Sequence, residues 1–282
     1  MLSSAFGVIP LPLQANGAPT PIFHSDMFIP RYPALAYGDW QVVVSPFGIV
    51  PGYWSGPCLA ADVAVLVRTV PRLTPRPPAP GESEEDSRTV PETWMSMTPM
   101  EIESQELGCR AATGTTVVMG MGMGWAAANA ALRAEVPAVI VVERDPAVRE
   151  LMERIGIFNQ LPPPVAAKIQ VVAGDALTYI PEIPVDTLLA DIWRPLNGDH
   201  RVEQVRQMQA NTGAHRVYFW GQEMVIARRL RAANRPFTAP EVAAVVESLE
   251  LPLIGPEFPD YPQRIQQAAE RWLKPDPDAA PA

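Results

Sequence analysis

The chain has 282 residues, 48% of them hydrophobic, enough to bury a full core and to build one large α/β unit with a smaller one attached. A net charge of −9 without any stripe of Lys and Arg excludes a dedicated nucleic-acid binder, because neutralising phosphates requires clustered cations. The longest apolar runs are interrupted before the ~20 residues of a membrane span, and residues 1–13 lack the basic start and cleavage site of a secretory signal. The expectation is a soluble, cytoplasmic protein with a small-molecule partner, no nucleic acid and no membrane.

Residues 1–72 hold short β-like runs at 40–44, 48–50 and 63–70, punctuated by Pro46, Gly48, Pro51 and Gly52, and predict a small β-rich domain. Residues 73–93 are rich in Pro and charge and nearly free of apolar side chains, so they read as a flexible linker. From residue 94 to 274 the pattern alternates. Thr98-Pro-Met-Glu101 opens a helix to about residue 112, with Thr98 as cap, Pro99 in the first turn and Glu101 reaching back in a capping box.

Strands then follow at 115–119, 138–143, 168–173, 185–191 and 216–220, with helices at 125–134, 146–157, 198–211, 223–233, 240–249 and 262–273. The strands are continuous apolar runs, as in a parallel sheet covered on both faces. Such alternation predicts a doubly wound α/β sheet. Residues 275–282, rich in Pro, Asp and Ala, read as a disordered tail. Cys58 and Cys109 read as ordinary thiols, and His24, His200 and His215 are isolated, with no metal-ligand spacing.

Chemistry concentrates where the first strand of this sheet ends. Val117-Val-Met-Gly-Met-Gly-Met-Gly-Trp125 places Gly120, Gly122 and Gly124 between strand and helix. Glycines there permit a tight turn and close approach of backbone to a ligand, beside the free N–H groups of a helix start. Glu143 ends the next strand, 19 residues after Gly124, where a carboxylate accepts hydrogen bonds from both ribose hydroxyls. Gly122-Met-Gly124-Trp-Ala-Ala127 also satisfies the dinucleotide fingerprint, so an NAD(P)-dependent oxidoreductase stays open on these residues. Gly174-Asp175-Ala176 follows the third strand and Asp191-Ile-Trp193 the fourth.

With these four segments in order, the chain resembles class I S-adenosylmethionine (SAM)-dependent methyltransferases, and within them the spermidine-synthase-like branch. The likeness covers residues 95–220 and implies a Rossmann-like, mostly parallel sheet with SAM as cofactor. It implies that Gly120, Gly122 and Gly124 face the methionine part, that Glu143 with the adjoining Arg144 binds the ribose side, and that Asp175 with Ala176 holds the adenine edge. Asp191 would stand at the reaction centre as a cofactor contact and catalytic base, with Trp125, Trp193 and Arg194 on the acceptor side. Pairing of two subunits is a further implication.

Two positions depart from the branch. Met123 stands where an aspartate lies in the glycine turn, and Arg194 replaces the second acid of the D-x-x-D motif. A cation at that place would repel a polyamine and suit a carboxylate-bearing acceptor. The sequence therefore predicts methyl transfer to a small molecule ahead of aminopropyl transfer, with a non-catalytic SAM-binding protein as another reading.

Overall fold

The computed structural model describes residues 17–74, 77–79 and 83–275, so the start of the chain and nearly all of the expected tail lie outside it. In chain order the elements are β1 (Leu35–Tyr37), β2 (Trp40–Pro51), β3 (Pro57–Pro71), α1 (Glu84–Arg88), β4 (Thr89–Ser96), α2 (Pro99–Ala111), β5 (Thr116–Met119), α3 (Trp125–Ala131), β6 (Val139–Glu143) and α4 (Pro146–Ile155). They continue with α5 (Pro163–Ala166), β7 (Ile169–Ala173), β8 (Thr187–Ala190), α6 (Arg201–Thr212), β9 (Arg216–Phe219), α7 (Gln222–Ala232), α8 (Ala239–Ser248) and α9 (Tyr261–Trp272).

The expected α/β architecture is present. A five-stranded, wholly parallel sheet runs in the order β7-β6-β5-β8-β9, and an antiparallel sheet runs β1-β2-β3-β4. Every residue of β5 and β8 is buried, so helices cover both faces of the sheet centre. β7 pairs only with β6 and leaves Val171 39% exposed, because an edge strand has one neighbour and less cover. The chain steps outward from β5 to β7 and then returns to place β8 on the other side of β5. That reversal opens a crevice at the carboxyl ends of β5 and β8, the place where open α/β sheets bind ligands.

Local signals position the helices that frame this crevice. Asp145 caps α4 by accepting the Ala147 N–H at 2.9 Å, Pro146 occupies the first turn, and Gly156 closes the helix at φ 71°. Thr98 caps α2, accepting the Glu101 N–H at 3.4 Å.

The antiparallel sheet departs from the expectation in two ways. Residues 40–51 form one strand in spite of Pro46 and Gly48, since the pairing with β3 resumes on both sides of Pro46. The segment 73–93, expected as a linker, contains α1 and the start of β4, and residues 94–96 complete that strand. β4 is an edge strand, where a Pro is tolerated and polar side chains face solvent, so its composition concealed it.

This sheet is tied to the carboxyl side of the parallel one. The Trp40 indole donates to Asp145 at 3.0 Å, and the Tyr32 hydroxyl donates to the Met123 carbonyl at 2.9 Å. The Asn129 amide exchanges hydrogen bonds with both backbone groups of Phe28 at 2.9 and 3.0 Å.

Candidate functional site

A cavity of about 410 Å³ occupies the crevice at the switch point. It brings together Gly120, Gly122, Glu143, Arg144, Asp175, Ala176, Asp191 and Trp193 from the residues expected at the site. Its volume lies in the range of small-molecule pockets, roughly 300–1,000 Å³.

Gly120 and Gly122 have φ of 91° and 49°, the left-handed region that favours glycine. A Cβ on Gly120 would stand 2.1 Å from the Asp191 carbonyl oxygen, and one on Gly122 would stand 2.3 Å from the Met95 sulfur. The turn is thus pressed between the end of β8 and the side chain of Met95, whose sulfur receives the Met123 N–H at 3.0 Å. Gly124 has a different task. It starts α3 at φ 76° and packs against Ile157 and Phe158, away from the cavity wall.

Glu143, at the end of β6, accepts the Met121 N–H at 2.9 Å with one oxygen and the Asp145 N–H at 2.8 Å with the other. The carboxylate braces the glycine turn and keeps lone pairs directed to the cavity, since each oxygen has two. Asp175 accepts the Leu177 N–H at 2.8 Å, which bends the chain after β7, and its other oxygen lies 3.8 Å from Arg144 in an exposed ion pair. Val142, Val148, Ala176 and Leu177 supply an apolar slot beside Glu143, suited to a flat heteroaromatic ring.

The opposite end is acidic and aromatic. Asp191 follows β8, and its Oδ2 accepts the Gln105 amide N–H at 3.0 Å. The same amide nitrogen lies 3.3 Å from Glu101. The Glu101 side chain thus turns into the cavity instead of reaching back to the helix start, so Thr98 caps alone and the expected capping box is not formed. Burial pushes Asp191 up to about 7, against the pull of Arg201 and Gln105. Burial and the nearby Asp191 raise Glu101 well above the ordinary carboxylate range. Trp94, Trp193 and Trp220 stand around these acids.

Arg201, the first residue of α6, is fully buried. It donates to the carbonyls of Gly198 and Trp220 at 2.8 Å each and also to that of Pro195. Its guanidinium lies 5.1 Å from the Trp193 ring centre and 5.9 Å from that of Trp220. One cation therefore fixes both indoles and the loop after β8.

Two expected acceptor residues do not reach this cavity. Arg194 forms an ion pair with Glu92 of β4 and lies over the Trp94 ring at 5.6 Å, so its charge is spent at the surface. Trp125 is buried behind the glycine turn and lines a smaller cavity of about 30 Å³ that shares Met95, Gly120, Gly122, Asp191 and Trp220 with the first; its indole N–H has no partner among the described residues. Glu223, in the first turn of α7, is buried among Tyr53, Tyr218 and Tyr261, apart from the cavity.

Trp40, Arg68, Trp94 and Met95, which roof the cavity from the antiparallel sheet, and Glu101 and Gln105 from α2 are site residues that no sequence motif marks. The spacing of Glu101 and Gln105, one helical turn apart, was the one available signal for the last two.

No protein-family model and no curated protein sequence matches the chain. Among solved structures it is similar to the glycopeptide N-methyltransferase MtfA complexed with SAM, at 17% identity over 39% of this chain and 47% of that one, TM-score 0.30. It is also similar to the methyltransferase domain of bacterial CtHen1, at 14% identity over 42% and 65% of the two chains, TM-score 0.33. A third likeness is to a DhpI–S-adenosylhomocysteine complex, at 12% identity over 38% and 48%, TM-score 0.29. The chain thus spans about half the length of the MtfA structure, and at these scores its fold rests on its own strand order.

Proposed function

We propose that the chain binds SAM in the switch-point cavity and transfers its methyl group to a small-molecule acceptor. The observation that carries this reading is the convergence of Gly120, Gly122, Glu143, Asp175, Ala176 and Asp191 on one cavity from the ends of four parallel strands. Glu143 would accept the ribose hydroxyls, the slot at Ala176 and Leu177 would take the adenine, and the glycine turn would lie against the methionine part. When bound, SAM supplies a methyl group activated by a positively charged sulfur. Trp94, Trp193 and Trp220 line this end of the cavity and would shield such a cation from water. The residues then need only align the acceptor, exclude water and accept a proton.

A second reading has support in the placement of Arg194. With that cation paired to Glu92, the charge that argued against a polyamine no longer faces the cavity. Aminopropyl transfer from decarboxylated SAM to an amine is therefore the alternative.

Calorimetry with S-adenosylhomocysteine and with NADH tests the cofactor. The proposal expects saturable binding of the former and none of the latter; the reverse result overturns it. Incubation of the protein and SAM with a metabolite extract, read by mass spectrometry, then separates the two reactions. A gain of one CH2 unit marks methyl transfer, whereas aminopropyl transfer appears only with decarboxylated SAM and adds a larger group.

A further inference from the structure

The antiparallel sheet sets one row of side chains against the cavity. Trp40 of β2 stands opposite Arg68 of β3, and Arg68 stands opposite Glu92 of β4, so the three share one face of the sheet. Trp40 and Arg68 line the cavity, which makes that face its roof. Arg68 is half-buried, and its guanidinium lies 5.3 Å from the Trp40 ring centre. The Trp94 ring meets that of Trp40 edge-on, also at 5.3 Å. The Arg68 Nε–H is buried without a hydrogen-bond partner, and no carboxylate pairs with its guanidinium among the described residues.

The acids around this cation are engaged elsewhere or held toward neutrality. Glu92, its cross-strand neighbour, is taken by Arg194 from the loop after β8. Asp145 caps α4 with one oxygen and accepts the Trp40 indole N–H with the other. Glu143 accepts two backbone N–H groups, and Asp175 is paired with Arg144. Burial pushes Asp191 up to about 7 and raises Glu101 well above the ordinary carboxylate range, so neither opposes an anion with a full charge. A guanidinium drawn out of water without a counter-ion is costly, and a planar oxyanion relieves it by meeting the N–H edge with two parallel hydrogen bonds.

We propose that Arg68 receives the carboxylate of the acceptor, and that the Arg194–Glu92 pair keeps Arg68 available by holding back its cross-strand acid. Trp40 and Trp94 take the carbons of that ligand against the roof. The row from Arg68 through Glu92 leads to Arg194 and the loop of Trp193, at the acidic, aromatic end of the cavity. The methionine part of SAM is assigned to the glycine turn instead, so the carboxylate is given to the acceptor. Arg68 thereby brings into the cavity the positive charge that Arg194 spends at the surface, and it disfavours a polyamine. The identity of the acceptor rests on the transferase reading; the binding of a carboxylate does not.

The test titrates benzoate and benzyl alcohol, which share one ring and differ in the charge of the head group, into the full chain by calorimetry. The proposal expects benzoate to bind at least tenfold more tightly. Arg68→Gln should remove that preference and leave benzyl alcohol unchanged. Arg194→Gln, although outside the cavity, should also weaken benzoate by tenfold or more, because Glu92 is then free to turn to Arg68. Adding Glu92→Gln to Arg194→Gln should restore it. Equal binding of the two compounds, or benzoate binding indifferent to Arg68→Gln or to Arg194→Gln, overturns the proposal. The comparison on the unmodified protein decides the matter even if a variant fails to fold. A second arm separates the two sources of a carboxylate, using S-adenosylhomocysteine and 5′-methylthioadenosine, which lacks one. Benzoate that still binds beside saturating S-adenosylhomocysteine supports the acceptor. Benzoate displaced by it, with Arg68→Gln weakening S-adenosylhomocysteine but not 5′-methylthioadenosine, gives Arg68 to the cofactor and overturns the acceptor assignment. Failure of S-adenosylhomocysteine to bind, with the benzoate preference intact, removes the cofactor reading and leaves the receptor standing.

Discussion

A methyl group on Gly120 would stand 2.1 Å from the carbonyl oxygen of Asp191. The first glycine of the turn and the first residue after β8 are therefore fitted to each other across the switch point, backbone to backbone. Neither can move without displacing a central strand of the sheet.

Gly120→Ala must accordingly strain the fold. The new Cβ meets backbone, and φ of 91° is unfavourable for any L side chain, so a loss of about 3 kcal/mol or more is expected. Gly122→Ala meets only the flexible end of Met95 and should cost about 1 kcal/mol, chiefly from φ of 49°, so adding Met95→Ala should not restore it. Thermal melting of the three single variants and the Gly122/Met95 double variant checks this ranking. Equal melting of Gly120→Ala and Gly122→Ala would show that the contact with Asp191 does not constrain the turn.

Glu143 both shapes the glycine turn and faces the cavity, so its substitutions should separate the two tasks. Glu143→Ala loses the bonds from Met121 and Asp145 and is expected to cost about 1–3 kcal/mol of stability. Glu143→Gln keeps one acceptor oxygen and so loses one of the two bonds; it should be less destabilised than Glu143→Ala while binding S-adenosylhomocysteine at least tenfold more weakly. Unchanged affinity in Glu143→Gln would remove the ribose assignment.

Glu223 governs part of the pH dependence of stability. The Tyr218 hydroxyl, with one hydrogen, lies 2.6 Å from the Ser104 carbonyl and 3.0 Å from Glu223, so donating to the carbonyl leaves Glu223 to carry the proton. Burial raises Glu223 from the ordinary 4.5 to about 7. The folded state then holds a proton that the unfolded state releases, and stability falls as pH rises from about 4.5 through about 7. Asp191 adds a slope of the same sign from 3.8 to about 7. Glu223→Gln should therefore flatten the profile without abolishing the slope, and be more stable than the parent at pH 8 by about 1–3 kcal/mol. Urea midpoints at pH 5 and pH 8 measure this; an unchanged difference between the two would place the proton elsewhere.

Arg201 should be among the least replaceable residues outside the glycine turn. Arg201→Ala takes the donor from the carbonyls of Gly198, Trp220 and Pro195, the first two in buried bonds, and is expected to cost about 3–5 kcal/mol. Arg201→Lys keeps the charge but not the planar fork, so it should fold less stably and release Trp193 and Trp220 from their shared cation. Tryptophan emission and thermal melting report the two effects. An emission spectrum unchanged in Arg201→Lys would count against the clamp.

The α/β architecture was legible because its signals are local. Continuous apolar strands, the cap at Thr98, and a glycine turn after the first strand each follow from a few adjacent residues. The lining of the cavity by Gly120, Glu143, Asp175 and Asp191 was legible for the same reason, since all four sit at strand ends. β4 was missed because an edge strand needs no apolar alternation and tolerates Pro91. The pairing of Arg194 was not legible, because its partner, Glu92, lies 102 residues away in the sequence.

By itself, then, the sequence determined the order of strands and helices and the residues that end each strand, because periodicity, capping and glycine conformation act over one or two turns of chain. The tertiary structure decided the acidic, aromatic end of the cavity. Glu101 from α2, Asp191 after β8, Arg201 from α6 and Trp94 from the antiparallel sheet meet only when two sheets pack together. Their charges acquire meaning there because burial, and not spacing along the chain, fixes what a carboxylate costs and what it will bind.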